Sequence, residues 1–319
     1  MLGTVVLGVI FVDIKGFPSD SYAPKSRNLG RVEFVHGGVS RNIAEDIAVS
    51  GMPVTFISMT EKSALGRDVV ERLAKCGVNT EFILPCKENG IGKWLVVLDT
   101  DGDVAGQISS PPAMEPLEDF VKAYGDDFVK DAENIILEMD IGEEITEHVL
   151  SLAEQYGKKV YAIIGNMSVI SRRPDFIRRT DCFICNEIEM GRILGRELCG
   201  MTPEELLSVL RVEVEARAFP SVVVTMGAQG CVYCDRATGE CDALPAIPTE
   251  VVDTTGAGDA FLAGTVMGLT RGMPLKKAAQ AGTMLASLTI RSSESSCPCG
   301  AFSFADAENF SCDAEMFSV

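Results

Sequence analysis

Apolar runs of strand length alternate with amphipathic runs of helix length through most of this chain, and few folds accept that order. Strand-like runs cover residues 54–58, 134–139, 159–164, 182–185 and 221–225. Helical patterns cover 40–50, 64–76, 143–156, 187–194 and 203–217, the last with Pro203 at its start, where proline is tolerated. Two long helices follow, near 258–271 and 274–290. Strands that read as nearly unbroken apolar runs are buried on both faces, so the pattern predicts a parallel sheet covered by helices. Residues 4–12 are the longest such run and read as one central strand. With 46% apolar residues in 319, the core is large enough for a single α/β domain spanning 1–319.

Two segments break the rhythm. Residues 13–35 are polar and lack a helical period, and residues 93–108 read as a hairpin turning at Asp101-Gly102. Both are β-like insertions, and the simplest account is a small β lid built from about 14–35 and 91–109. Trp94, the only tryptophan, begins the hairpin, where it either caps a ligand ring or packs lid against core.

A net charge of −18 repels nucleic-acid phosphates and anionic lipid heads, so neither is an expected partner. No apolar run is long enough to span a bilayer, and the N-terminus shows no signal-peptide pattern, so the expected location is cytoplasmic. The eleven cysteines include Cys182-x-x-Cys185 and Cys231-x-x-Cys234. Residues three apart on a strand point to opposite faces, so neither pair suits zinc, and reduced thiols are expected throughout. Cys297 and Cys299, beyond the Ser-rich stretch 292–296, have no evident partner pair.

The chemistry concentrates in residues 251–261, Val-Val-Asp-Thr-Thr-Gly-Ala-Gly-Asp-Ala-Phe. A β-like stretch leads in and an apolar helix leads out. Gly256, Ala257 and Gly258 let successive backbone N–H groups turn the same way, and the helix N-terminus behind them completes an anion hole. Phosphoryl transfer needs such a hole, because charge spreads over the transferred oxygens. Asp259 stands at its mouth, placed to take a proton from an attacking hydroxyl. A plain glycine turn with Asp259 at a helix start is the bland alternative. The order Asp-Thr-Thr-Gly-Ala-Gly-Asp is too particular for it. A nicotinamide-binding dehydrogenase is a poor reading, since the opening strand enters no glycine triad.

The same segment resembles the C-terminal signature of the ribokinase-like (PfkB) carbohydrate kinases, and the resemblance extends over essentially the whole chain. It implies a three-layer α/β/α fold with a β lid, ATP with Mg2+, and Asp259 as the base. Other matches follow. Asn186-x-x-Glu189 is similar to the family's motif for magnesium and phosphate-ordering water. The turn from Thr225 through Gly227 to Gly230 is similar to its nucleotide-binding turn, and Gly282 in the last helix joins that set. Gly37-Gly38 and Asn42 resemble its sugar-contacting element, as does Asp13 at the end of the opening strand. Lys93 and Trp94 fall where the lid meets the substrate. Several members bind a monovalent cation near the first aspartate of the signature, which marks Asp253 and Thr255 as a candidate K+ site. One departure stands out: many members carry an aspartate after the strand that here ends Ile163-Ile164-Gly165-Asn166.

Within the family, residues 37–44 (Gly-Gly-Val-Ser-Arg-Asn-Ile-Ala) are most similar to pseudouridine kinases. Hydroxyl side chains expected before the lid aromatic are replaced here by Ile91, Gly92 and Lys93. The resemblance thus implies a kinase for a nucleoside or sugar, pseudouridine first. Another nucleoside, a simple sugar, or a binding protein without transfer are the alternatives. It also implies a homodimer formed through the lid, whose few strands would otherwise expose their edges.

Overall fold

Side-chain parity along the strands divides the core into two sheets of side chains, one on each face of a central β-sheet. In the computed structural model, which describes residues 1–165 and 167–304, the chain opens with β1 (Thr4–Leu7), β2 (Phe11–Pro18), β3 (Gly30–Gly37), α1 (Val39–Val49) and β4 (Val54–Glu61). It continues through α2 (Ala64–Cys76), β5 (Ile83–Cys86), β6 (Gly92–Leu98), β7 (Val104–Ser110), α3 (Glu115–Asp131), β8 (Asn134–Glu138), α4 (Glu143–Tyr156) and β9 (Lys159–Ile163). The remainder is β10 (Cys182–Asn186), α5 (Glu187–Leu194), α6 (Pro203–Arg217), β11 (Ser221–Thr225), β12 (Cys231–Asp235), β13 (Glu240–Leu244), α7 (Ala257–Thr270) and α8 (Leu275–Thr289).

The main sheet has nine strands in the order β13-β12-β11-β10-β9-β8-β1-β4-β5. It is parallel from β11 to β5, with β12 and β13 added antiparallel at one edge. Val5 and Leu7 join the core under α3–α6, while Val6 joins the core under α1, α2, α7 and α8. The result is the three-layer α/β/α arrangement expected. The lid is a separate four-stranded sheet, β3-β2-β6-β7. Active elements therefore converge where the C-terminal ends of the parallel strands meet the lid, the usual ligand position in open α/β sheets.

Helix boundaries follow local chemistry. Ser63 caps α2 by accepting the Gly66 N–H, and Gly77 ends it in the left-handed conformation. The predicted strand over 4–12 does not survive intact: β1 stops at Leu7, and the chain re-forms as β2 in the lid. Gly8 marks the break, because a Cβ there would lie 2.0 Å from the Ser40 hydroxyl and 2.5 Å from the Glu138 carboxylate. The 17-residue α3 was not anticipated.

Cys182 and Cys185 lie in opposite core faces, as do Cys231 and Cys234, in line with their spacing. The expectation of reduced thiols throughout fails at one pair. Cys234 and Cys241 face each other in register across β12 and β13 and form a disulfide. Local Cys-x-x-Cys spacing does not show this pairing, because it depends on the cross-strand register of β12 and β13. Asn166, and the tail beyond 304 with its remaining cysteine, lie outside the described residues.

Candidate active site

The signature forms a turn into a helix as expected, but the β-like lead-in does not form: β13 ends at Leu244, and residues 251–256 reach α7 without a strand. Gly256 is the N-cap of α7 with φ 79°, a backbone conformation that glycine adopts without strain. Glycine is needed there twice over, since a Cβ would sit 2.0 Å from the Ser295 carbonyl oxygen. Open space surrounds the corresponding position on Gly258. Upstream, Asp253 accepts both the N–H (2.9 Å) and the hydroxyl (2.7 Å) of Thr255 and so shapes the turn.

Asp259 lies in the first turn of α7, and Asn42 of α1 donates its amide to the Asp259 carboxylate at 2.6 Å. This contact joins the expected substrate end and the expected phosphate end in one site. Burial pushes the Asp259 carboxyl up to about 7. The Asn42 hydrogen bond and the Arg41 charge oppose that rise, and the charges of Glu189 and Asp13 add to it. A carboxylate poised near neutrality suits a general base.

Arg41 is a residue the sequence reading passed over. It is 1% exposed, donates to Asn42 Oδ1 and to the His36 carbonyl (2.8 Å), and pairs with Glu45. Arg72 also grips Glu45, at 3.0 and 2.7 Å. Glu45 accepts the Ser296 hydroxyl (2.8 Å) and Asp46 the Cys297 N–H (2.7 Å). The helix that presents Asn42 thus also holds the segment whose Ser295 carbonyl backs the anion loop. The Ser-rich stretch 292–296 has its role here, which composition alone did not suggest.

Two acids from the end of β8 were also missed. Glu138 is buried between β1 and β9, accepting the Ser40 hydroxyl (2.8 Å) and the Val9 N–H (3.3 Å), and burial pushes it up to about 7. Asp140 accepts the N–H groups of Gly165 (3.1 Å), Met167 (2.9 Å) and Val169 (2.8 Å). An acid absent from the chain after β9 is therefore present beside it, supplied by the neighbouring strand. Asn186 and Glu189 form a reciprocal capping box at the start of α5, each side chain bonding the other's backbone N–H at 2.9 Å. Burial raises the Glu189 carboxyl, and the nearby Asp140 charge adds to the rise. Two carboxylates in one another's field at the strand ends are a donor set that fits Mg2+.

The nucleotide-side glycines differ in their surroundings. Thr225 ends β11 and Gly227 is open and exposed, as a phosphate approach requires. Gly230 answers to packing, because a Cβ would lie 2.0 Å from the Leu244 carbonyl. Gly282 is buried against α7, where a Cβ would meet Thr265 Oγ1 at 2.3 Å, so helix packing accounts for glycine at this position.

On the lid, Asp13 is 8% exposed and its carboxyl is raised by burial, with the Lys15 and Arg41 charges opposing. Gly37 leaves room for it, since a Cβ would come within 2.7 Å of its oxygens. Gly38 is the N-cap of α1. Trp94 pairs with Asp13 across β2 and β6, so the two share the face turned to the cleft, and its indole donates to Gln107 at 2.9 Å. Lys93 does not share that face. Its ammonium pairs with Glu61 at 3.0 Å, and as the immediate neighbour of Trp94 on a strand it must point the other way. Lys15, unremarked in the sequence, does share the face and reaches Asp253 at 3.5 Å.

The sequence matches the pfkB family of carbohydrate kinases over residues 1–298. It is 31% identical to the guanosine-inosine kinase of Exiguobacterium acetylicum over 91% of this chain and 94% of that one. The chain belongs to the pfkB family. It is a sugar or nucleoside kinase of that family. The pseudouridine kinase of Escherichia coli is 25% identical over 85% of this chain and 84% of its own. Among solved structures, Arabidopsis thaliana ribokinase complexed with ribose and ATP has a similar fold, with TM-score 0.80 at 21% identity, covering 97% of this chain and 99% of that one. The pfkB family fold accounts for the lid, the anion loop and their meeting point.

Proposed function

We propose that this kinase transfers the γ-phosphoryl group of ATP to the primary ribose hydroxyl of a nucleoside. The observation that carries the reading is the Asn42–Asp259 hydrogen bond, which puts a sugar-hydroxyl ligand on the carboxylate at the mouth of the anion loop. Asp13, Glu138, Asn42 and the Gly37-Gly38 backbone hold the ribose, and Asp259 takes the proton of the attacking hydroxyl. The backbone N–H groups of Gly256 and Gly258 take the charge that builds on the transferred oxygens; Ala257, expected as a third donor, instead gives its N–H to the Thr254 carbonyl at 3.2 Å and so closes the turn. Mg2+ would be held through Asp140 and Glu189 and supplies charge neutralisation on the phosphates. A cytoplasmic location belongs to this reading, since that compartment supplies ATP.

For the base, residues 37–44 favour pseudouridine, while the longer stretch of identity with a guanosine-inosine kinase favours an oxopurine. Both kinds of base present a carbonyl beside an N–H. Gln107, held by the Trp94 indole, offers an amide with the complementary donor and acceptor. A side-by-side ATP-consumption assay on pseudouridine, guanosine, inosine, uridine, adenosine, ribose and fructose tests this. Turnover is expected to be highest with pseudouridine, guanosine or inosine. A rate highest with ribose or fructose would rule out the nucleoside assignment.

Assembly through the lid has its own support. Phe34, Ile14, Leu95 and Ile108 stand directly opposite one another across the lid, on the face turned away from the cleft. Phe34 is 59% exposed and Ile108 66%. An apolar row of this kind on a small sheet is a natural contact for a second copy. Phe34→Glu combined with Ile108→Glu is expected to give a monomer by light scattering where the native chain is a dimer. A native chain that is already monomeric at micromolar concentration would refute lid pairing.

A further inference from the structure

We propose that the Lys15 ammonium is the built-in cation of the anion loop: carried on the lid, it neutralises Asp253 and makes transfer independent of K+. The inference rests on the kinase reading. Lys15 lies two residues beyond Asp13 on β2, on the cleft-facing side, and is 8% exposed. Burying an ammonium so far is costly unless an opposite charge is near, and Asp253 Oδ2 is 3.5 Å from it. The other oxygen of Asp253 is taken by the N–H and hydroxyl of Thr255. Oδ1 is engaged by Thr255 and Oδ2 faces a cation already in the fold, so a K+ ion held by Asp253 and Thr255 would have to displace the Lys15 ammonium.

The arrangement has consequences for the reaction. Asp253 shapes the turn that ends in Gly256, and a second unpaired negative charge there would repel an incoming phosphate. A cation is therefore required beside it. A lysine already in the fold meets that need with no ion to bind. The partners are 238 residues apart, one on the lid and one on the anion loop, so the ion pair also ties lid position to loop geometry. Lys15 is then a positioning residue, acting through Asp253.

The test uses the full chain as wild type, Lys15→Met and Lys15→Arg, in KCl and in NaCl at matched ionic strength. Two quantities are read: the melting temperature without substrates and the initial rate of acceptor phosphorylation. In the wild type neither should respond to the exchange of Na+ for K+. In Lys15→Met the rate in NaCl should fall ~10-fold or more, recover substantially in KCl, and be accompanied by a saturable K+-dependent rise in melting temperature. Lys15→Arg should stay indifferent to K+. A saturable K+ stabilisation of the wild type, or a Lys15→Met rate in NaCl within about twofold of wild type, would overturn the proposal. If Lys15→Met fails to fold, the wild-type and Lys15→Arg responses decide it. Absence of turnover with every acceptor would count against the kinase reading alone, and the melting arm would still decide whether Lys15 fills the cation site.

Discussion

Asp259→Asn is expected to lower acceptor phosphorylation by ~10²–10⁴-fold while leaving ATP binding nearly unchanged. The substitution keeps the size of the side chain and its contact with Asn42, but it cannot accept the hydroxyl proton. The substitution leaves the backbone of the Gly256–Gly258 turn untouched, so nucleotide affinity should survive. The pH dependence sharpens the test. Burial holds the Asp259 carboxyl near 7, and a base works only when ionised, so kcat at saturating acceptor in the native chain should rise with pH through about 7 and then level off. That acid limb should vanish in Asp259→Asn. Near-normal turnover in the variant, measured by ADP formation with a saturating acceptor, would remove Asp259 from the mechanism.

Glu138→Gln is expected to stabilise the folded chain at alkaline pH while impairing use of the acceptor. The Glu138 carboxyl titrates near 7 in the fold against an ordinary value of 4.5, because burial disfavours its ionised form. The sign follows from linkage. Folded Glu138 binds its proton more tightly than the unfolded chain does, so stability falls as pH rises from about 4.5 to about 7 and stays low above. The displacement corresponds to ~3 kcal/mol at full ionisation, and glutamine removes most of it while still accepting the Ser40 hydroxyl and the Val9 N–H. Urea denaturation should show the variant more stable than the native chain at pH ~8 and nearly equal at pH ~4.5. At the same time KM for the acceptor should rise ~10-fold or more through loss of a charged hydrogen-bond acceptor. The acid limb of kcat should persist, which separates Glu138 from Asp259. A variant less stable than the native chain at alkaline pH would contradict this account of the buried acid.

The features legible in the sequence are those where one residue type is compulsory. Gly256 requires a positive φ and tolerates no Cβ beside Ser295, so the signature announces itself. The α2 helix was legible end to end because Ser63 and Gly77 punctuate it. Gly37, Gly38, Asn42 and Asp13 meet as expected, since a strand end and a helix start at the same edge of the sheet bring them there. What stayed hidden was set by long-range neighbours. Glu138 sits inside an apolar strand, and nothing local tells a buried acid from a strand terminus. Asp140 replaces an acid looked for on the next strand. The packing of α7 on Gly282 is likewise a long-range contact. The cross-strand pairing of Cys234 with Cys241 depends on hairpin register. Lys93 is different: Lys93 and Trp94 are adjacent on a strand, and period-two alternation already forbade both from facing one ligand.

The most direct test of the central claim is phosphorus NMR of the products formed from ATP, Mg2+ and the preferred nucleoside. The account predicts ADP and one new phosphomonoester in equal amounts, its signal split by the two protons of the adjacent methylene, as phosphate on the primary ribose hydroxyl requires. Formation of ADP with inorganic phosphate alone, or of an ester on a secondary hydroxyl, would contradict it.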